Sequence, residues 1–530
     1  MTRHFNLADL FELVAVQVPD RLALVAGDVR LTYGELDART NRLARHFVDR
    51  GLQPGAKVAI YAWNRAEWVE AFLAAFKARL TPINVNYRYV AHELRYLFDN
   101  ADAEALVFER SFAPTVAEIL PDLPKVSDLL VLEDGSAEDA GDALRYEDAL
   151  AASSPEPLSI ERSADDLYFL YTGGTTGMPK GVMWRGEDIF FAALSGFNPQ
   201  PMAAPEDIRA RLLPDGFDVR SLIAAPIMHG AAQWGLLNLL YVGGTSVLYT
   251  ERGFDPVAVW RLAHAEQCMG LSLVGDAMAR PLADALADRA NALDVSCVKT
   301  IGSGGAVFST AVKDQLRDLL PGVNVADSYG ASETGASGTS ASGDDARRFT
   351  VSSEMNVLDD VLRPVAPGSG EIGRVARTGH IPLGYYKDDV KTAATFVVDP
   401  DGVRWVVPGD FGTVEDDGAI QLLGRGSQCI NSGGEKIYPE EVEEALKSHP
   451  QVFDALVVGV PDDRFGERVA AVVAARPGAT PTLEELSAHC RQTIAGYKAP
   501  RQLHLVDAVR RTPAGKANYG WAKEVATAQP

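Results

Sequence analysis

A chain of 530 residues exceeds the size at which a single hydrophobic core keeps growing, so two or more domains are expected. Its apolar content of 47% and charged content of 23% are those of an ordinary globular enzyme, and no apolar run reaches the roughly eighteen residues that a membrane span needs. The formal net charge of −22 excludes broad electrostatic binding to nucleic acid or anionic lipid, so any anionic ligand has to be held by local donors and cations. Cys268, Cys297, Cys429 and Cys490 are scattered without CxxC spacing, which argues against a zinc site or a disulfide framework and fits a reducing cytoplasm. Met1 to Asn6 run straight into a helical pattern without the apolar core of a signal peptide.

Helical and strand patterns alternate up to about residue 130, which predicts a layered α/β architecture. Leu31-Thr-Tyr-Gly-Glu-Leu leads into a helix with Leu36, Leu43 and Phe47 on its apolar face. Lys57-Val-Ala-Ile-Tyr-Ala reads as a buried strand, and a helix follows through Trp68, Phe72 and Phe76. Residues 133 to 157 turn acidic and rich in Ala, Ser, Gly and Pro, as in a surface excursion; 198 to 216 and 336 to 348 read as further loops. The last hundred or so residues read as a compact α+β unit. Its helix opens at Tyr438-Pro439-Glu440-Glu441, with proline in the first turn and acids against the helix dipole, and Val442, Ala445 and Leu446 make its apolar face. Strands are expected at Asp454–Val460 and Arg468–Ala474. The glycine-flanked Gly424-Arg-Gly-Ser-Gln places the domain boundary, giving units 1–424 and 425–530.

The strongest local signal is Tyr171-Thr-Gly-Gly-Thr-Thr-Gly-Met-Pro-Lys-Gly181, fed by the apolar strand Leu167–Tyr171. Gly173, Gly174 and Gly177 let backbone N–H groups turn inward as an anion nest. Thr172, Thr175 and Thr176 add hydroxyl donors, and Lys180 adds a cation for phosphate oxygens. It is not a Walker A loop, because Met178-Pro179 separates the last glycine from the lysine, and Gly181-Val-Met-Trp is strand-like rather than helical. A plain Gly/Thr hairpin turn is the alternative reading.

With this segment the chain resembles the adenylate-forming superfamily of acyl-CoA synthetases, luciferases and adenylation domains, over nearly its whole length. The resemblance implies a large α/β multi-layer N-terminal AMP-binding domain and a small, mobile α+β C-terminal domain. It also assigns roles to weaker motifs. Tyr329-Gly330-Ala-Ser332-Glu333 is similar to the family's aromatic-Gly-x-Thr-Glu motif, with serine for threonine: Tyr329 stacks on adenine, Ser332 contacts phosphate or carboxylate, and Glu333, with Thr172, binds Mg²⁺. Asp327 and Ser328, just before it, fall among the expected nucleotide contacts. Gly302-Ser-Gly304-Gly305-Ala306 resembles the adenine-side glycine segment, though a strand-to-helix turn explains it nearly as well. Pro408-Gly-Asp410 stands where the family has Thr-Gly-Asp, with Asp410 as the ribose acceptor. Gly424-Arg425 matches the linker arginine, but Ser427 and Gln428 replace the usual charged hinge residue.

Asn431 to Val442 matches the loop that lines the pantetheine channel, in which Gly433, Gly434, Glu435 and Lys436 are the expected channel residues. Arg511-Thr-Pro-Ala-Gly-Lys516 matches the C-terminal catalytic-lysine segment, although an exposed tail lysine is the default reading of any terminal lysine. His229, Trp234 and Gly235 align with the acyl pocket, where a structural histidine and core packing account for them as well. The resemblance implies an ATP-dependent acyl-CoA synthetase with ATP, Mg²⁺ and coenzyme A, in which Lys516, Glu333 and Lys180 are the catalytic residues. Met178–Arg185 and Glu187–Phe191 look like actinobacterial fatty-acid and steroid-side-chain CoA ligases, which points to a bulky hydrophobic acid. Transfer to a carrier-protein thiol or another acceptor, and a non-catalytic nucleotide-binding regulator, are the rival readings. A homodimer is left open.

Overall fold

The computed structural model describes residues 4–174, 177–196, 200–340, 347–432, 435–462, 465–512 and 516–528. Two sheets organise the large domain. In one, Leu22–Ala26, Thr245–Leu248, Arg220–Ile223, Gly270–Leu273, Thr300–Gly304 and Asn324–Ala331 run parallel to one another. It continues as an antiparallel sheet through Gly335–Thr339, Arg348–Val351, Ile420–Arg425 and Asp410–Val414. The other is a parallel sheet of Thr81–Asn84, Lys57–Tyr61, Ala103–Glu109, Asp128–Leu132 and Leu144–Arg145. In the second sheet Lys57–Tyr61, Thr81–Asn84 and Ala103–Glu109 are buried along nearly their whole length, as strands covered on both faces are, whereas Thr300–Gly304 and Asn324–Ala331 of the first carry small and polar residues and are only partly buried.

The first helices follow from local rules. Thr32 and Glu35 form a reciprocal capping box at the start of Tyr33–Asp49, with the Glu35 N–H donating to Thr32 Oγ1 at 3.2 Å and the Thr32 N–H to the Glu35 carboxylate at 2.8 Å. Leu36, Leu43 and Phe47 are fully buried on one face, as their spacing predicts. The helix Ala66–Lys77 is apolar nearly all round and is buried all round. Its one buried cation, Lys77, reaches Asp37 at 2.5 Å and Asn41 at 2.6 Å. Phe72 stacks on Trp68 at 4.9 Å and meets Tyr168 edge-on at 5.7 Å, so this helix backs the strand Leu167–Gly174.

All three expected loops contain regular structure. Within 133 to 157, Tyr146–Ala151 is helical, with Tyr146, Ala149 and Leu150 buried by their i, i+3, i+4 spacing and the Tyr146 hydroxyl donating to Glu70 at 2.8 Å. Within 336 to 348, Gly335–Thr339 is a strand, and 341–346 lie outside the described residues. Between 198 and 216, Pro205–Arg211 forms a 3₁₀ helix that buries Ile208.

The small domain is a five-stranded sheet in which Val452–Asp462 pairs antiparallel with Gly466–Ala475, and Gln502–Val506 adds in parallel. The helix Pro439–Lys447 packs on it through buried Val442, Ala445 and Leu446. Among the described residues no helix is long and apolar enough to cross a membrane.

Phe72→Ala should cost about 3–5 kcal/mol through the cavity it leaves between helix and strand, read as a lowered urea midpoint. An unchanged midpoint would show that the aromatic stack does not support the strand.

Candidate active site

The glycine–threonine segment is the tip of a β-hairpin. Leu167–Gly174 pairs antiparallel with Gly177–Arg185, Thr172 opposite Lys180 and Gly174 opposite Gly177. Ladder pairing therefore runs up to the tip; Thr175 and Thr176, the hydroxyls expected there, lie outside the described residues. Asn84, which sequence reading missed, ties the hairpin to the rest. Its amide donates to the Tyr171 carbonyl at 2.9 Å and the Met228 carbonyl at 2.7 Å, and it accepts from the Tyr171 N–H at 2.7 Å. Only its burial, at the end of a parallel strand, could have marked it.

Strands Thr300–Gly304 and Asn324–Ala331 bring their carboxyl ends to the same place, where open α/β sheets bind ligands. Gly305 has φ +83°, a left-handed conformation that favours glycine. At Gly330 a Cβ would stand 2.4 Å from the Gly335 carbonyl oxygen, so no side chain fits. The turn after Gly330 is held from behind by two further residues absent from the motif reading. The Trp184 indole N–H donates to the Ser332 carbonyl at 2.9 Å, and the buried Arg377 guanidinium donates to the Thr334 carbonyl and, at 3.2 Å, to that of Ala336.

Asp410 and Arg425 face one another across an antiparallel pair. The Arg425 Nε donates to Asp410 Oδ1 at 3.0 Å, and the Tyr329 hydroxyl donates to Oδ2 at 2.8 Å. Burial first, then the Asp410 carboxylate, raises the Tyr329 phenol well above its ordinary pKa. Glu333 accepts from the Tyr385 hydroxyl at 2.8 Å. Tyr385 belongs to a short strand paired to the hairpin, and Lys180 Nζ sits 5.6 Å over its ring and 3.3 Å from Asp388. Tyr385 thus touches two of the expected catalytic side chains, a role that Gly384-Tyr385 in isolation does not announce.

From the small domain, Lys516 enters a cavity of about 510 Å³. Its lining includes Thr172, Gly304, Gly305, Ser328, Tyr329, Gly330 and Ser332, together with His229, Trp234 and Gly235. Burial, then the Arg425 cation, lower the Lys516 pKa, while Glu333 and Asp410 oppose the shift. A second cavity of about 230 Å³ adjoins it, and Arg88, Val274 and Thr512 border both.

Other expected residues stand elsewhere. Asp327 does not line the cavity; it is buried, within reach of the Lys313 charge. Burial pushes its carboxyl up to about 8. Ala306 packs against the core rather than the cavity. Lys180, Glu333, Asp410 and Arg425 are not among the residues that line the cavity either. Glu435 and Lys436 are exposed on a short strand of the small domain, and Gly433 and Gly434 lie outside the described residues.

At the junction, Glu440 is pushed up to about 7, chiefly by burial and then by Glu443. Among the described residues its Oε2 has no hydrogen-bond partner. A carboxyl raised above its ordinary 4.5 withdraws stability as pH climbs from that value through about 7. Glu440→Gln should therefore melt above the parent at pH 8, with the gap closing toward pH 5. A gap independent of pH would refute the assignment.

The AMP-binding enzyme family model matches residues 11–386, and the AMP-binding enzyme C-terminal domain model matches 441–516. The chain is 48% identical to a 3-oxocholest-4-en-26-oate–CoA ligase of Rhodococcus rhodochrous, covering 99% of this chain and 96% of that protein. It is 49% identical to a medium/long-chain-fatty-acid–CoA/3-oxocholest-4-en-26-oate–CoA ligase of Mycobacterium tuberculosis, covering 99% and 97%. Among solved structures, ATP-bound MatB from Rhodopseudomonas palustris superposes with a TM-score of 0.82 at 26% identity, covering 98% of each chain. The anthranilate CoA ligase AuaEII with anthranoyl-AMP shares the fold, with a TM-score of 0.86 at 22% identity, covering 99% and 98%. With both domains matched, in this order and over nearly the full length of both relatives, the chain belongs to the AMP-binding enzyme family, as an acid–thiol ligase of the acyl-CoA synthetase kind.

Proposed function

We propose that the chain activates a bulky hydrophobic carboxylic acid, a fatty acid or a steroid side-chain acid, as its acyl-adenylate and passes the acyl group to coenzyme A. The observation that carries this is the convergence of Lys516, from the small domain, with Thr172, Tyr329 and Ser332 around one cavity. The names of the two relatives support the acid class.

In the first half-reaction the substrate carboxylate oxygen attacks the α-phosphorus of ATP and pyrophosphate leaves. Bringing two anions together requires positive charge placed in advance. Lys516, beside Arg425, supplies it from the small domain, and Lys180 from the hairpin. Tyr329 forms one wall of the cavity and steadies Asp410, the proposed ribose acceptor, by hydrogen bond. Glu333 and the Thr172 hydroxyl would hold Mg²⁺. No group of three His, Cys, Asp or Glu side chains able to cage a metal is found among the described residues. One carboxylate fits a hard cation that completes its shell with phosphate oxygens and water. When bound, the ion supplies charge to neutralise the phosphates.

In the second half-reaction the thiol sulfur attacks the adenylate carbonyl carbon and AMP leaves. The smaller cavity, which meets the larger at Arg88, Val274 and Thr512, suits the approach of a slender thiol arm. Thr512 belongs to the segment that carries Lys516, so rotation of the small domain about residues 424–428 would withdraw the lysine and open that passage together. Residues 433 to 436 would then line it. We place the reaction in the cytoplasm, where both cosubstrates are made available.

A panel of fatty, aryl and steroid acids scored for AMP release with and without coenzyme A tests this reading. Coenzyme-A-dependent release with long-chain or steroid acids supports it; a preference for small acids, or transfer to an amine alone, overturns it. The pocket wall sharpens the test. A Cβ at Gly302 meets nothing within 4 Å, and the residue lines the cavity, so its glycine leaves room for ligand rather than satisfying the backbone. Gly302→Leu should lower kcat/KM for long or steroid acids by roughly tenfold or more while sparing short ones, a loss of the size that a few displaced methylenes produce.

Tyr385→Phe should lower the rate of adenylate formation by roughly tenfold, the scale of one lost bond to a charged group, with melting temperature unchanged. Pyrophosphate–ATP exchange measures it, and an unaltered rate removes Tyr385 from the site.

A further inference from the structure

The helix Pro439–Lys447 has two faces. Val442, Ala445 and Leu446 bury into the small domain, while Glu440, Glu444 and Lys447, spaced by four and three residues, share the opposite stripe. That charged stripe meets the large domain. The Thr310 N–H, at the first position of the helix Thr310–Leu319, donates to Glu444 Oε1 at 2.7 Å. Ser309, the residue that would ordinarily cap this helix, makes no capping bond, so a carboxylate from the other domain satisfies the exposed N–H and meets the positive end of the helix dipole. Nearby, Lys447 Nζ lies 3.6 Å from Asp276 and 3.7 Å from Asp454, and the Asp276 carboxylate also accepts the Ser309 N–H at 2.9 Å.

Such an interface is held differently from a core. Glu444 Oε2 is buried without a hydrogen-bond partner among the described residues. Charged groups that are paired but incompletely satisfied lose much of their attraction to desolvation, and each regains water when the surfaces part.

We infer that Glu444 is a positioning residue of the first half-reaction: by accepting the Thr310 N–H it seats the small domain in the arrangement that brings Lys516 into the cavity. The inference rests on the proposed alternation of the small domain, and it names the contact that selects one of the two arrangements. Glu444 touches no substrate in this scheme, so its removal should divide the two half-reactions.

The experiment uses the full chain. Glu444→Ala should slow pyrophosphate–ATP exchange by roughly ten- to thirtyfold, the scale of a lost charge-assisted hydrogen bond, and leave thiolysis of a supplied acyl-adenylate within about twofold. Glu444→Gln, which keeps an acceptor, should recover most of the exchange. Thr310→Pro removes the same bond from the other side. Proline is tolerated at the first helical position, and Ser309, with φ −67° and ψ 149°, already holds the conformation that a residue before proline prefers. It should reproduce the Glu444→Ala division even if that variant folds poorly. Equal loss of both half-reactions in both variants would make the contact merely structural and overturn the inference. Normal exchange in both, with Lys516→Ala inactive in the same assay, would overturn it while sparing the proposed function. Normal exchange in Lys516→Ala would overturn the two together.

Discussion

The structure turns on two cations brought close together inside a protein. Lys516 from the small domain enters a cavity beside Arg425, and the two repel: burial and that neighbour both push the lysine toward giving up its proton. Asp410 and Glu333 oppose the shift, but Asp410 is already bonded to Arg425 and to Tyr329, and Glu333 to Tyr385. Positive charge gathered in advance of a ligand is what a reaction between a carboxylate and a polyphosphate requires, because charge already in place costs no reorganisation when the two anions meet. The fold creates this demand for an anion by closing one domain over another.

That closure depends on rigid backing. The turn carrying Ser332 and Glu333 is pinned by Trp184 and Arg377, and the hairpin by Asn84. Trp184 and Arg377 sit behind the cavity wall and Asn84 within it, and all three satisfy backbone carbonyls that would otherwise be buried without partners. Where backbone approaches backbone, at Gly330, no side chain fits; where the cavity needs width, at Gly302, the missing Cβ leaves space. The same residue type serves opposite ends, and only the surroundings tell them apart.

Around Glu444 the interface that closes the site is charged and incompletely satisfied, with the aromatic pair Phe411 and Tyr438 meeting elsewhere across it, while the cores on either side are apolar. The division is physically sensible. Apolar packing makes each domain a unit, and a carboxylate seated on a helix N-terminus makes their contact specific without making it permanent. Glu440, whose carboxyl rises to about 7 beside the junction, extends the same principle along the helix.

Local order carried much of this protein's identity. Glycine and threonine before Lys180, the Tyr-Gly-Ala-Ser-Glu run and the terminal Thr-Pro-Ala-Gly-Lys are contiguous, so their chemistry is written in consecutive letters, and the apolar periods of the flanking helices and strands are likewise local. Tertiary structure alone decided the rest. It kept Asp327 out of the cavity lining, and joined Tyr385 to Glu333, Arg377 to the Thr334 turn and Glu444 to Thr310. These pairs are separated by tens to hundreds of residues, and nothing in a short window encodes which distant backbone group a buried side chain must satisfy. That choice is made when sheets and domains pack, because only then does an unpaired polar group become costly.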